Sequence, residues 1–167
     1  YSKTAEEALS LWPREELRAD VVGVVRSLRP PVGVSGFSGT PSDGHGHHPA
    51  AGSVTREAVR AAGEPARVQE QLARGLDAWQ PLKLLQTSRR RFLPDAPAVD
   101  GEMVVPMGEL DPLLGRSRFQ LAMDSRSQHR SQDMGAAQPM GPQSSGVILV
   151  ESLVPDAEAG VFSGVDT

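Results

Sequence analysis

No cysteine occurs among the 167 residues. That excludes a disulfide framework and a thiolate metal site, so any metal would have to be held by histidine and carboxylate ligands. Aromatic residues are scarce, at 4%, while Gly and Pro number 17 and 14. The core is therefore expected to be small, aliphatic and alanine-rich, with much of the chain in loops. No run approaches the ~20 apolar residues that a helical membrane span requires. Basic charge is not in excess: 17 Lys and Arg stand against 21 Asp and Glu, a net charge of -4. Such a balance gives no electrostatic footprint for nucleic acid or an anionic membrane surface. There is no internal repeat.

What is present is enough chain for one domain with a moderate core. The sequence begins at Tyr1-Ser2-Lys3 with neither an initiator Met nor a signal-like start, and the expectation is an internal piece of a longer protein. Thr4 followed by Glu7 predicts a helix start that runs through Leu11. Pro13 suits the first turn of a second helix. There Leu17, Val21, Val24, Val25 and Leu28 form an apolar stripe between Arg and Asp residues expected to be exposed, and Arg29-Pro30-Pro31 ends it.

Val32 to Phe37 reads as a buried central strand that delivers the chain to a polar loop, Ser38 to His48. Pro49 suits the first position of the next helix, whose Val54, Ala58, Val59 and Ala62 keep helical spacing. This order predicts an α/β layer with a ligand site beyond the strand's carboxyl end. Further on, a short helix is expected in Pro65–Leu76, and Trp79 to Leu85 reads as a turn feeding a strand. The pattern fades from Thr87 to Leu110. A helix is expected in Gly115–Ser131 and a loop in Met134–Ser145. Val147 to Val150, the most apolar run, is a strand or the start of a linker toward a further domain.

Three of the four histidines fall in Gly44-His45-Gly46-His47-His48. A solvent loop with a chance cluster is one reading. The other is a site: His45 and His48 are three apart beside a helix start, so both imidazoles can reach one volume, and imidazole is a common zinc ligand. Asp43 is placed to support a ligand histidine. Two histidines fall short of a catalytic zinc site, which takes three protein ligands and a water. The run Arg89-Arg90-Arg91 has an acidic substrate as one reading and solvated surface as the preferred one, and Trp12 and Trp79, for which stacking on a sugar ring is the alternative, sit among apolar neighbours and are expected in the core.

The block Asp43-Gly44-His45-Gly46-His47-His48-Pro49-Ala50-Ala51-Gly52 resembles the G-H-P-D-H motif of LmbE-like (PIG-L) deacetylases. Two later segments agree with it. Leu76 to Leu84 resembles the strand-leading segment of long bacterial members, and Ser125 to Gln132, with His129, resembles their late H-x-S-Q helix. The likeness covers about Tyr1 to Gly141.

The resemblance implies an α/β fold with a Rossmann-like, LmbE-type sheet and flanking helices, incomplete in this chain. Residues 1–145 would be the C-terminal part of the deacetylase domain, and 146–167 a strand or linker. The implied activity is zinc-dependent removal of an acetyl group from an N-acetylglucosamine-type substrate. His48 is the implied Zn2+ ligand and His45 the implied transition-state partner. His47 stands at the motif's Asp and Gly46 at its Pro, which leaves His47, like Asp43 and His129, as a supporting group or substrate contact.

The family's other motif, A-H-P-D-D-E, carries two zinc ligands and the general base. Nothing here matches it. This fragment alone is therefore expected to be inactive, and its partners are an N-acetylated sugar or sugar conjugate and the missing N-terminal part of the same protein. Long bacterial members are often exported, which implies a periplasmic or secreted parent. The competing expectations are a non-catalytic metal- or carbohydrate-binding remnant of the same fold and a plain interaction domain.

Overall fold

The computed structural model describes residues 2–88, 90, 96–132 and 134–165. They form a mixed α/β structure in two compact units, one running up to Thr87 and resuming at Ile148, the other spanning Ser88–Val147. Strand order in the principal sheet is β1 (Val32–Ser35), β2 (Lys83–Thr87), β6 (Ser144–Ser152), β3 (Glu102–Pro106). β1 and β2 are parallel, with Val32 opposite Lys83 and Ser35 opposite Gln86. β6 runs the other way: Leu153 N–H donates to Leu82 O at one end of β2, and Ser88 N–H to Gly146 O at the other.

In the first unit, α1 (Ala5–Leu11) and α2 (Arg14–Leu28) both pack on α3 (His47–Ala62). Thr4 caps α1 as its spacing predicts, its hydroxyl accepting from Glu7 N–H. Val22 and Val25 of α2 meet Ala58, Ala61 and Ala62 of α3 in the core, with Trp79 partly buried against it. Small alanines let the two helices approach closely. Trp79 also donates its indole N–H to Pro30 O.

The stripe on α2 is rotated from its expected place. Val24 and Leu28 are exposed, whereas Arg26 is buried. Its guanidinium donates to the carbonyls of Ala61, Ala62, Glu64, Arg67 and Val68 and to Gln71 Oε1. These include the last carbonyls of α3, which no helical N–H reaches, so a cation is well placed there. Lys83 is buried in the same manner, its Nζ donating to Ala157 O and Gly160 O at 2.9 Å each.

Several boundaries differ from the sequence reading. β1 ends at Ser35 because the Ser35 hydroxyl bonds Phe37 O at 2.7 Å and turns the chain there. β1 also lies at the sheet's edge, with β2 as its neighbour, rather than at the centre. α3 starts at His47, so Pro49 occupies the third helical position, where its missing N–H costs nothing. The helix expected in Pro65–Leu76 is reduced to α4 (Gln69–Ala73).

In the second unit, the faded stretch contains β3, and a two-stranded antiparallel ribbon pairs β4 (Leu110–Asp111) with β5 (Arg116–Ser117). The helix expected in Gly115–Ser131 is α5 (Arg118–Ser127), opened by a reciprocal cap between Ser117 and Gln120. Val147–Val150 belongs to β6, and residues 145 and 146 lie within that strand. Arg90 departs from the solvated reading: it pairs with the buried carboxylate of Glu102 at 3.1 Å. Arg89 and Arg91 lie outside the described residues. Among the described residues no helix is long and apolar enough to cross a membrane.

Candidate functional site

The histidine cluster sits where β1 hands the chain to α3. Between them the loop folds around the Asp43 carboxylate, which accepts from Ser38 N–H and Oγ at 2.9 Å, Gly39 N–H at 2.7 Å and Thr40 N–H at 3.2 Å. A 3₁₀ turn at Pro41–Asp43 results. The loop is seated directly on α3. A Cβ at Gly52 would fall 2.3 Å from Gly39 N and 2.8 Å from Phe37 O, so only glycine admits this approach.

That seating brings Phe37 over His48, with ring centroids 4.1 Å apart and planes 11° from parallel. His45 packs against His48 as well, at 3.9 Å and 39°. The remaining tie is polar. His48 Nδ1 lies 3.0 Å from the backbone carbonyl of Asp43. A carbonyl only accepts, so Nδ1 carries the proton, and in the neutral ring Nε2 is left with the lone pair. Asp43 meets His48 through its main-chain carbonyl, while its carboxylate is consumed in holding the loop. The neutral tautomer so defined is the one that presents Nε2 to a metal.

His45 is held below the ordinary histidine pKa, first by partial burial and then by the neighbouring His48 and His47 rings. This favours the uncharged imidazole at neutral pH. It therefore offers a neutral N–H rather than an acidic proton. His47 contacts His45 more loosely, at 6.1 Å, and pairs its ring with Trp12 at 4.8 Å. Trp12 itself is 51% exposed, against the expectation that it lies in the core.

Gly46 occupies a position that its surroundings restrict. Its N–H donates to Ser2 O at 2.9 Å, and a Cβ there would lie 2.0 Å from Thr4 O. Proline can supply neither the donor nor the space.

His129 belongs to the second unit, exposed just beyond α5, with its N–H on Arg126 O. Together with Arg126, Met107 and Phe119 it lines a cavity of about 670 Å³ in that unit. Of the expected site residues, then, Asp43, His45, His47 and His48 share one loop and helix start. Phe37 and Trp12, which sequence reasoning left out of the site, are its aromatic walls. The one available signal for Phe37 was its place at the end of the expected strand, next to the polar loop that carries the histidines.

The tautomer of His48 leaves Nε2 able to serve as one nitrogen ligand. The chain's own donor set is incomplete, because among the described residues no group of three or more His, Asp or Glu is arranged to hold a metal. No known protein family matches the chain, and neither does any curated protein or solved structure.

Proposed function

We propose that this chain supplies part of the site of a zinc-dependent amide hydrolase that removes an acetyl group from an N-acetylglucosamine-type substrate. The sheet would then be the C-terminal part of a Rossmann-like, LmbE-type fold. The observation that carries this reading is the tautomer of His48, set by the Asp43 carbonyl and braced by the Phe37 and His45 rings. A histidine packed against two rings with Nδ1 committed to a carbonyl has a setting that suits a zinc ligand.

In this reading His48 Nε2 is one ligand, and the remaining ligands and the general base come from polypeptide beyond this sequence. Zinc, when bound, would act as a Lewis acid on the amide carbonyl and supply the hydrolytic nucleophile. His45 donates a neutral N–H to the oxygen on which negative charge develops. A neutral donor suits that role, since it is available at neutral pH without a prior protonation step. His47, engaged with Trp12, orients substrate rather than holding metal.

The test is made on the longer polypeptide that contains this chain. Stoichiometric zinc and release of acetate from N-acetylglucosamine conjugates are the expected results. Zinc or sugar binding without acetate release points instead to a non-catalytic remnant, and absence of both zinc and sugar binding removes the reading altogether.

A further inference from the structure

We propose that Trp12 is the stacking platform of a carbohydrate subsite, taking a neutral pyranose ring adjacent to the histidine cluster. The inference rests on the sugar-directed reading above and adds where a second ring of the substrate is held.

Trp12 and Pro13 alone connect α1 to α2. The Trp12 N–H is bound to Ala8 O at 3.0 Å and Pro13 O accepts from Leu17 N–H at 3.1 Å, so the indole is presented from a fixed backbone rather than a loose loop. Such a platform loses little freedom on binding. The ring touches His47, which in turn touches His45, yet half of the residue remains open. That is costly for an indole with no partner, whereas the C–H face of a pyranose would cover it.

The surroundings define the ligand further. Trp12, Leu11, Pro13 and Leu17 form the apolar part of a groove of about 390 Å³, whose remaining wall is Glu16 and Asp20. This lies near the small end of the ~300–1,000 Å³ typical of small-molecule sites. Glu16 and Asp20 are one helical turn apart on α2, both exposed, and neither forms an ion pair among the described residues. Carboxylates accept hydrogen bonds from sugar hydroxyls and repel anions. An apolar platform bordered by acceptors of one charge therefore fits a neutral pyranose and disfavours a uronic acid or sugar phosphate.

Binding is measured on the full chain by following the Trp12 indole N–H resonance during titration with the β-1,4-linked dimer of N-acetylglucosamine. The expected result is a saturable shift of Trp12 with Trp79 unmoved, and a dimer ending in glucuronic acid binding more weakly. Trp12→Ala should weaken binding roughly tenfold, the scale of one lost stacking contact, while Trp12→Phe retains most of it. Glu16→Gln combined with Asp20→Asn should reduce the discrimination against the uronic acid.

A Trp12 resonance that does not respond in the unaltered chain overturns the subsite without reliance on any variant. So does an unchanged affinity in a folded Trp12→Ala chain. The two readings fail separately. In the longer polypeptide, a Trp12 response without acetate release supports the subsite and sinks the hydrolase, whereas acetate release with KM unmoved by Trp12→Ala does the reverse.

Discussion

Gly46 lies against Thr4 so closely that a Cβ on Gly46 would stand 2.0 Å from the Thr4 carbonyl oxygen. Thr4 is at the same time the cap of α1. The start of α1 and the start of the histidine helix are thereby locked together at one backbone contact. Gly46→Ala should cost about 1–3 kcal/mol, the usual range for overpacking. Gly46→Pro should cost more, because it also removes the donor to Ser2 O. Denaturant unfolding of the two variants checks the order, and an Ala variant as stable as the parent would mean the contact is absent in solution.

The proposed zinc hydrolase assigns the two site histidines different tasks, and its test uses a polypeptide that supplies the remaining ligands. His48→Ala should lower zinc content and turnover together, since losing one of three ligands weakens a catalytic site. His45→Ala should leave zinc near stoichiometric and reduce kcat by about a hundredfold or more, as for a lost oxyanion donor. His47→Ala should do less than either. Metal analysis beside steady-state kinetics decides; zinc lost with His45 and kept without His48 would require the roles to be exchanged.

Arg26 is the largest buried side chain of the first unit and has only neutral acceptors around it. Arg26→Ala removes the one side chain that ties these carbonyls together, leaves a cavity in its place and takes the donor from Arg67 O, and should destabilise the chain by roughly 3 kcal/mol or more. Lysine should rescue little, because a point ammonium cannot span carbonyls spread along a turn. Equilibrium unfolding measures both; full rescue by Arg26→Lys would show that charge alone mattered.

Glu102 gives the second unit a pH dependence of definite sign. Hydrogen bonds from Ser88 and then Arg90 hold its carboxyl below the ordinary 4.5. The folded form thus prefers the carboxylate more than the unfolded chain does. This contribution is fully present above pH 4.5 and is lost as pH falls through the lower folded value. The stability gap between the parent and Glu102→Gln should therefore be widest at neutral pH and narrow in acid. A gap independent of pH would contradict the assignment.

Local signals carried the sequence reading a long way where the cause was itself local. Thr4 caps α1, the spacing of Val54, Ala58, Val59 and Ala62 defines the buried face of α3, and Lys83–Thr87 forms the strand after Pro81. The Ser117–Gln120 cap was equally legible, as a Ser followed three residues later by Gln, and would have placed the start of α5 correctly. The short β3 carried no such signal, because Met103, Val104 and Val105 follow one another without alternation and its partner β6 is some forty residues away in sequence.

The amino-acid sequence by itself determined that any metal is met by histidine and carboxylate rather than thiolate, and that His45, His47 and His48 lie beside one helix start after a strand. Tertiary structure decided what each of them does there. Nothing in the local pattern says that Phe37 covers His48, that the Asp43 carbonyl selects its tautomer, or that Trp12 reaches His47 from the link between α1 and α2. The same holds for Arg26, a charged residue that any hydropathy pattern places in solvent. Its burial depends on carbonyls from 35 or more positions later in the chain. Hydrophobic periodicity records which residues avoid water one at a time, whereas a buried cation or a fixed imidazole exists only once distant backbone groups have been gathered around it.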